Sequence, residues 1–136
     1  MGKPATHIDV HKHLHQNQNV MHGLVAAAKA KRLPVRSINP QMRERLNSEG
    51  IPTNPSFIGD AGTEAYWSLA QFKEDMQKLP EGVTEAMCHP GFTPSAVVSG
   101  YTKQREVEMQ TFLHPDARAT LDRLGIQLVD FSVLHG

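Results

Sequence analysis

Every second residue from His7 to His15 carries an imidazole or a carboxylate: His7, Asp9, His11, His13 and His15, within Thr-His-Ile-Asp-Val-His-Lys-His-Leu-His. Side chains of an extended backbone alternate between faces, so this spacing predicts a strand with all five polar groups on one side and Ile8, Val10 and Leu14 on the other. Imidazole nitrogen and carboxylate oxygen are the ligands that divalent cations take in hydrolytic sites, and histidine suits zinc or a similar first-row metal. The pattern points to a metal site at the end of a strand. A hydrogen-bonded polar cluster is the alternative, because burying such groups without partners costs roughly a few kcal/mol each. An accidental histidine-rich surface is a third reading.

Downstream, short apolar runs alternate with amphipathic segments of helical length. Asn17 or Asn19 can cap a helix through about Lys31, with Val20, Leu24, Val25 and Ala28 on one face and Lys29, Lys31 and Arg32 toward its C-terminal end. Leu33 to Ile38 reads as a short strand. Pro40 opens a helix over Gln41 to Ser48 that Gly50 ends. Ile51 to Thr63, rich in Pro, Gly and Asn, reads as a loop of functional length. Ser68 and Gln71 have capping-box spacing ahead of a helix bearing Leu69, Phe72, Met76 and Leu79, stopped at Pro80-Glu-Gly82. Val83 to Cys88 is a strand ending in His89-Pro90-Gly91, which cannot continue a ladder. Helices follow over about Thr102 to Leu113 and Pro115 to Leu124, the second closed by Gly125, and Ile126 to Phe131 is a last strand. This alternation implies an α/β fold with a mainly parallel sheet and its ligand site at the C-terminal strand ends, where His11 to His15, Arg36 and His89 would fall.

At 136 residues the chain has the length of one modest domain and is short for a complete α/β barrel. Fourteen basic and fourteen acidic side chains cancel without a like-charge block, which argues against a nucleic-acid or membrane partner held by bulk charge. Cys88, the only cysteine, excludes an internal disulfide and a cysteine-based zinc knuckle and fits a reducing cytoplasm. No apolar run has the length of a membrane span, and no secretory pattern opens the chain. Met1 to Thr6 match the loose myristoylation pattern, which is set aside because it runs straight into the histidine stripe.

Met87-Cys88-His89-Pro90-Gly91 is the second candidate site. His89 closes a strand and would face the same rim as the stripe, in a catalytic or substrate role; the bland reading is a satisfied turn residue. Cys88 reads as an ordinary core cysteine rather than a nucleophilic thiol. Arg36 can pair with a carboxylate of the site, with a substrate oxygen, or in a surface ion pair. Tyr101 with Gln104-Arg105-Glu106 opens a helix whose charged residues read as a solvated face, with capping, pairing with one another and substrate contact as the alternatives. Trp67, beside Tyr66, can stack on a sugar ring or fill the core.

At these residues the sequence resembles the YdjC-like carbohydrate deacetylases, the family of chitooligosaccharide deacetylases and of hopanoid-biosynthesis-associated deacetylases. The resemblance rests on Thr6-His7-Ile8-Asp9-x-His11-x-His13-x-His15, on Glu85-Ala-Met-Cys-His89-Pro90-Gly91-Phe92, and on Tyr101-x-x-Gln-Arg105-Glu-x-Glu108 with Leu113, Gly125-Ile126 and Asp130-Phe131, in matching order from Gly2 to Leu134. It implies a (β/α)-barrel-like deacetylase fold and metal-assisted hydrolysis of the N-acetyl group of an amino sugar, with one divalent metal, Mg2+ or Zn2+, activating water and stabilising the oxyanion. By motif match His11 looks like the metal ligand, with His7, Asp9, His13 and His15 as supporting or alternative ligands. His89 looks like the active-site histidine, donating to the tetrahedral intermediate or the leaving amine, and Arg36, Arg105 and Trp67 are the substrate-side candidates.

Two motifs of the family are missing: Asp-Asp-Phe-Gly, whose aspartate acts as base, and a Gly-x-His segment that supplies a further metal ligand. The resemblance thus covers the C-terminal half of the family's sequence. The expectation is a single, N-terminally truncated domain, a partial barrel of about four mainly parallel strands with flanking helices. One histidine with auxiliary ligands falls short of the three protein ligands of a hydrolytic zinc site. The competing expectation is a metal- or sugar-binding remnant without turnover, or a half-barrel that needs a partner chain. Open parallel edges would favour a homo-oligomer.

Overall fold

A computed structural model describes residues 5–93, 96 and 99–135. The first four residues of the myristoylation pattern lie outside the described residues. The chain divides into two compact units, one of Met1–Phe57, Gly82–Glu85 and Val129–Gly136, the other of Ile58–Glu81 and Ala86–Leu128. No helix among the described residues is long and apolar enough to cross a membrane.

The first unit is built on helices α1, Gln18–Lys31, and α2, Pro40–Ser48. Side-chain oxygens begin both: Asn17 accepts from the Asn19 amide at 2.9 Å and Asn39 from the Met42 amide at 2.8 Å, while Pro40 sits in the first turn, where an N–H has no helical partner to lose. Met21, Leu24, Val25 and Ala28 of α1 and Met42 and Leu46 of α2 form a core with Val35 and Ile51. Met21 takes the place expected for Val20, which is exposed, because steps of three and four from Met21 keep one stripe turned inward.

The predicted strand from His7 to His15 ends at Val10. Ile8 forms an isolated parallel bridge with Val35, donating to the Pro34 carbonyl at 2.8 Å and accepting from the Arg36 amide at 3.1 Å. Beyond it, His11–Gln16 turn into 3-10 geometry, with Lys12 and His13 in the left-handed region at φ 52° and 53°. The alternation is lost there: His11 is exposed, His15 is buried, and Leu14, assigned to the apolar face, is 58% exposed. Ile8 and Val10 pack on the helical core, but among the described residues no neighbouring strand offers backbone partners farther on, and local turns satisfy the chain instead.

Leu33 to Ile38 is likewise extended, with the one bridge at Val35 among the described residues. A buried amide interrupts its pairing on the other side: Asn54 accepts from the Ser37 amide at 2.7 Å and donates to the carbonyls of Ser37 at 2.8 Å and Ser56 at 3.0 Å, standing where a ladder peptide would stand.

Strands β1, Ser56–Ile58, and β2, Thr84–Ala86, pair as a short parallel sheet. β1 falls inside the stretch read as loop, where the Pro, Gly and Asn around three strand residues masked them. The last predicted strand, Ile126 to Phe131, does not pair: Leu128 and Val129 are exposed and Phe131–Leu134 closes into a 3-10 turn. Among the described residues the expected four strands reduce to two and a bridge.

In the second unit, helices α3, Leu69–Gln77, α4, Lys103–Leu113, and α5, Pro115–Leu124, pack around Trp67, Phe72, Met76, Ala117 and Leu121. Ser68 caps α3 through the Gln71 amide at 3.2 Å, while the Gln71 side chain turns to Asp75 at 2.8 Å, so half of the capping box forms. Gly125 ends α5 in the left-handed region at φ 68°, as its position predicts. Trp67 is wholly buried, with ring centroids of Phe72 and Phe112 at 5.9 and 5.8 Å, and its Nε1–H donates to the Met87 carbonyl at 2.7 Å. Gly59, at φ 110°, passes so close that a Cβ would lie 2.3 Å from the same carbonyl oxygen.

Tyr66 donates to Asp75 at 2.9 Å, and burial followed by this carboxylate pushes its phenol up to about 12. Tyr101 is raised further, by burial and then by Glu108. Tyr66 and Tyr101 are the only two tyrosines. Folded phenol pKa values above the unfolded one contribute stability that is full below the unfolded value of about 10 and is lost as pH rises through the folded values. An ultraviolet titration is therefore expected to show no phenolate near pH ~10, then ionisation of both tyrosines together with alkaline unfolding. A separate phenolate step in the still-folded chain would contradict these environments.

Candidate functional site

In the first unit the guanidinium of Arg36 lies between two carboxylates. Nη1 pairs with Asp9 Oδ2 at 2.6 Å, Nε and Nη2 both reach Glu85 Oε1, and the guanidinium carbon lies 5.9 Å from the Phe57 ring centroid. Asp9 is partly open at 40% side-chain exposure, whereas Glu85 is at 9%. Burial pushes the Glu85 carboxyl up, only partly offset by its bonds to Arg36, and its Oε2 is buried without a hydrogen-bond partner among the described residues. Arg36 thus organises carboxylates, one of the roles its sequence allowed. Glu85, which sequence reading quoted in a motif without a role, is its main partner.

His7, His13 and His15 lie about this ion-pair group rather than along one face. His7 stacks on Phe131 at 3.8 Å, contacts Thr6 Oγ1 through Nδ1 at 3.0 Å, and is held below its ordinary pKa by burial and then by Arg36. His13 meets the Phe57 ring edge-on at 6.0 Å and lies 6.1 Å from His15. His15 is 1% exposed and is also lowered, by burial and then by His13; the Arg36 backbone favours its proton, yet neither ring nitrogen reaches normal hydrogen-bond geometry. His11 is exposed. Among the described residues no three His, Cys, Asp or Glu side chains converge in a way that could hold a metal ion. With Asp9 engaged by Arg36, the donors present do not fit a complete divalent-metal site.

In the second unit, the loop after β2 carries His89 and is fastened to α4. The His89 amide donates to Glu108 Oε2 at 2.5 Å, the Gly91 amide to the Arg105 carbonyl at 3.2 Å, and the Thr93 amide to Glu106 Oε1 at 2.8 Å. Arg105 donates through Nε to the Tyr101 carbonyl at 2.9 Å and through Nη1 to the His89 carbonyl at 3.4 Å. Tyr101 donates its hydroxyl to Glu108 Oε1 and sets its ring against the His89 imidazole at 5.4 Å. His89 Nδ1 is buried with no partner among the described residues, which leaves Nε2 as the nitrogen it presents.

The charged start of α4, read from sequence as a solvated face, is therefore the anchor of the His89 loop. Glu108 went unassigned, although residues 101, 105 and 108 are spaced to share one helical face. Cys88, expected in the core, is exposed, since the chain has left the sheet by that point. Trp67 occupies the core instead; a ring with no exposed surface has no face for a sugar. An open cavity of about 540 Å³ adjoins the start of α4, lined by Thr63, Glu64, Ser68, Thr102, Lys103 and Gln104 among others, with Gln104 bonded to the Thr63 carbonyl at 2.8 Å.

The sequence model of the family described as YdjC-like protein matches residues 1–123. A carbohydrate deacetylase of Geobacillus stearothermophilus is 32% identical over 133 residues, 96% of this chain and 52% of that protein. One from Brevibacillus brevis is 32% identical over 98% of this chain and 55% of its own length, and a chitooligosaccharide deacetylase of Serratia marcescens is 29% identical over 98% and 54%. A crystal structure from Enterococcus faecalis V583, described as that of a cellobiose-phosphate cleavage protein, has the same fold, with a TM-score of 0.80 at 23% identity, covering 97% of this chain and 54% of that one. The chain spans about half the length of the curated relatives it matches.

Proposed function

The chain belongs to the YdjC-like protein family, and on that premise we propose that it forms the His89-bearing part of a carbohydrate deacetylase that releases acetate from an N-acetylated amino sugar. The observation that carries this reading is the similarity to carbohydrate deacetylases along nearly the whole chain. Amide hydrolysis adds water to the acetyl carbonyl and then requires a proton on the departing amine. An imidazole held by its backbone, with Nε2 outward, suits that donation. The anchored loop supports this role for His89 because a fixed donor needs no reordering when the tetrahedral intermediate collapses.

A divalent cation, Mg2+ or Zn2+, enters this reading only with donors additional to the described ones, and the exposed His11 is the stripe residue we assign to join them. The Arg36 group would hold Asp9 beside it. Acetate release from diacetylchitobiose tests the reading, using the chain alone and the chain completed with the N-terminal half of a carbohydrate deacetylase relative. We expect release by the completed protein, reduced about 100-fold or more by His89→Ala. No acetate from the completed, folded protein would remove the enzymatic reading, and sugar binding without release would make the chain a binding module.

A further inference from the structure

We propose that Glu108 is the positioning residue of His89, fixing its backbone directly and its ring through Tyr101. Glu108 is 0% exposed, and carboxylates are rarely buried so deeply unless paired with a cation. Among the described residues it makes no ion pair. Its oxygens are spent on two groups that converge on one residue: the amide of His89, and the hydroxyl of the tyrosine whose ring stands against the His89 imidazole. Stability alone gives little reason for this choice, since desolvating a carboxylate for two neutral donors is costly where an apolar or amide side chain could fill the space.

The geometry transmits orientation in two ways. The 2.5 Å bond holds the Cys88–His89 peptide, the ring of Pro90 restricts the His89 backbone that precedes it, and α4 grips the same loop at Gly91 and Thr93. Separately, the phenol bond sets the Tyr101 ring, with the Arg105 guanidinium 5.8 Å from its centroid, and that ring limits the imidazole to orientations with Nδ1 inward. Glu108 touches neither Nδ1 nor Nε2, so its influence passes through His89 and not to a substrate.

The catalytic consequence rests on the deacetylase reading, but the positioning itself is measurable without turnover. Nuclear magnetic resonance of the full chain and of its Glu108→Gln and Tyr101→Phe variants follows the His89 amide and ring signals. In Glu108→Gln the amide proton, shifted downfield by a facing carboxylate, moves upfield and the ring signals move with it. In Tyr101→Phe the ring signals move while the amide stays. Unchanged ring signals in folded Tyr101→Phe, or an unchanged amide in folded Glu108→Gln, would overturn the proposal, and the tyrosine variant decides alone if the glutamine variant does not fold. In the completed protein Glu108→Gln is expected to lower kcat by about 10- to 100-fold with KM nearly unchanged. Absent acetate release by the parent would sink the deacetylase reading and leave the resonance result standing on its own.

Discussion

Trp67→Ala is expected to lower the unfolding free energy by about 3–5 kcal/mol, the range for emptying a large aromatic site in a packed core. Tyr66, Phe72 and Phe112 all place their rings within 6 Å of the indole centroid, so no single neighbour can fill the gap by changing rotamer. The substitution also strips the Met87 carbonyl of its indole donor, and a buried acceptor left unpaired costs about 1–3 kcal/mol. Against a total stability of about 5–15 kcal/mol for an ordinary domain, that loss leaves the second unit marginal. Urea unfolding followed by circular dichroism measures it, with Trp67→Phe as the control that keeps most of the packing and loses the N–H bond. A loss below about 1 kcal/mol, the range of an ordinary surface change, would mean that this core is organised differently.

Arg36→Met is the second large effect, with a loss of about 3–5 kcal/mol at neutral pH, the scale for breaking a buried ion pair from one side. Glu85 carries most of it. Its carboxyl is raised by burial while Arg36 draws it back, so removing the guanidinium raises it further. Asp9 loses the same partner but is partly solvated, and contributes little. The sign follows from linkage: a carboxyl whose folded pKa exceeds its unfolded value costs stability when ionised. That cost is full above the folded pKa and fades as pH falls toward the unfolded value. Melting temperatures of Arg36→Met should therefore lag the parent most at neutral and alkaline pH and approach it in mild acid. Adding Glu85→Gln should remove most of the pH dependence. A deficit that is constant across pH would show that buried charge is not its source.

Helices were legible because their signals are local. Asn17 and Ser68 caps, Pro40 and Pro115 in first turns, and Gly125 at an end act within a few residues of where they stand, and each helix formed within a residue or two of its expected bounds. Strands were less legible, since a ladder depends on a neighbour distant in the chain. The spacing of His7 to His15 was compatible with a strand throughout, yet among the described residues of that stretch Ile8 alone found a ladder partner, and the Asn54 side chain stands against Ser37 where a ladder peptide would stand. The candidate site divided the same way: Asp9, Arg36 and His89 stood out as candidates by residue type and position, while Glu85 and Glu108 stood in motifs without a role, because a carboxylate looks solvated until its burial is known.

The sequence by itself determined the helices, the family, and the residues whose chemistry is unusual for their surroundings. Only the tertiary structure decided what those residues do to one another. It gathered His7, His13 and His15 about an arginine bound by two carboxylates and left His11 exposed, and it turned an ordinary stretch of charged helix into the anchor of His89. The physical reason is range: capping and helical periodicity act over a turn or two of chain, whereas burial, ion pairing and strand pairing depend on partners that only folding brings near.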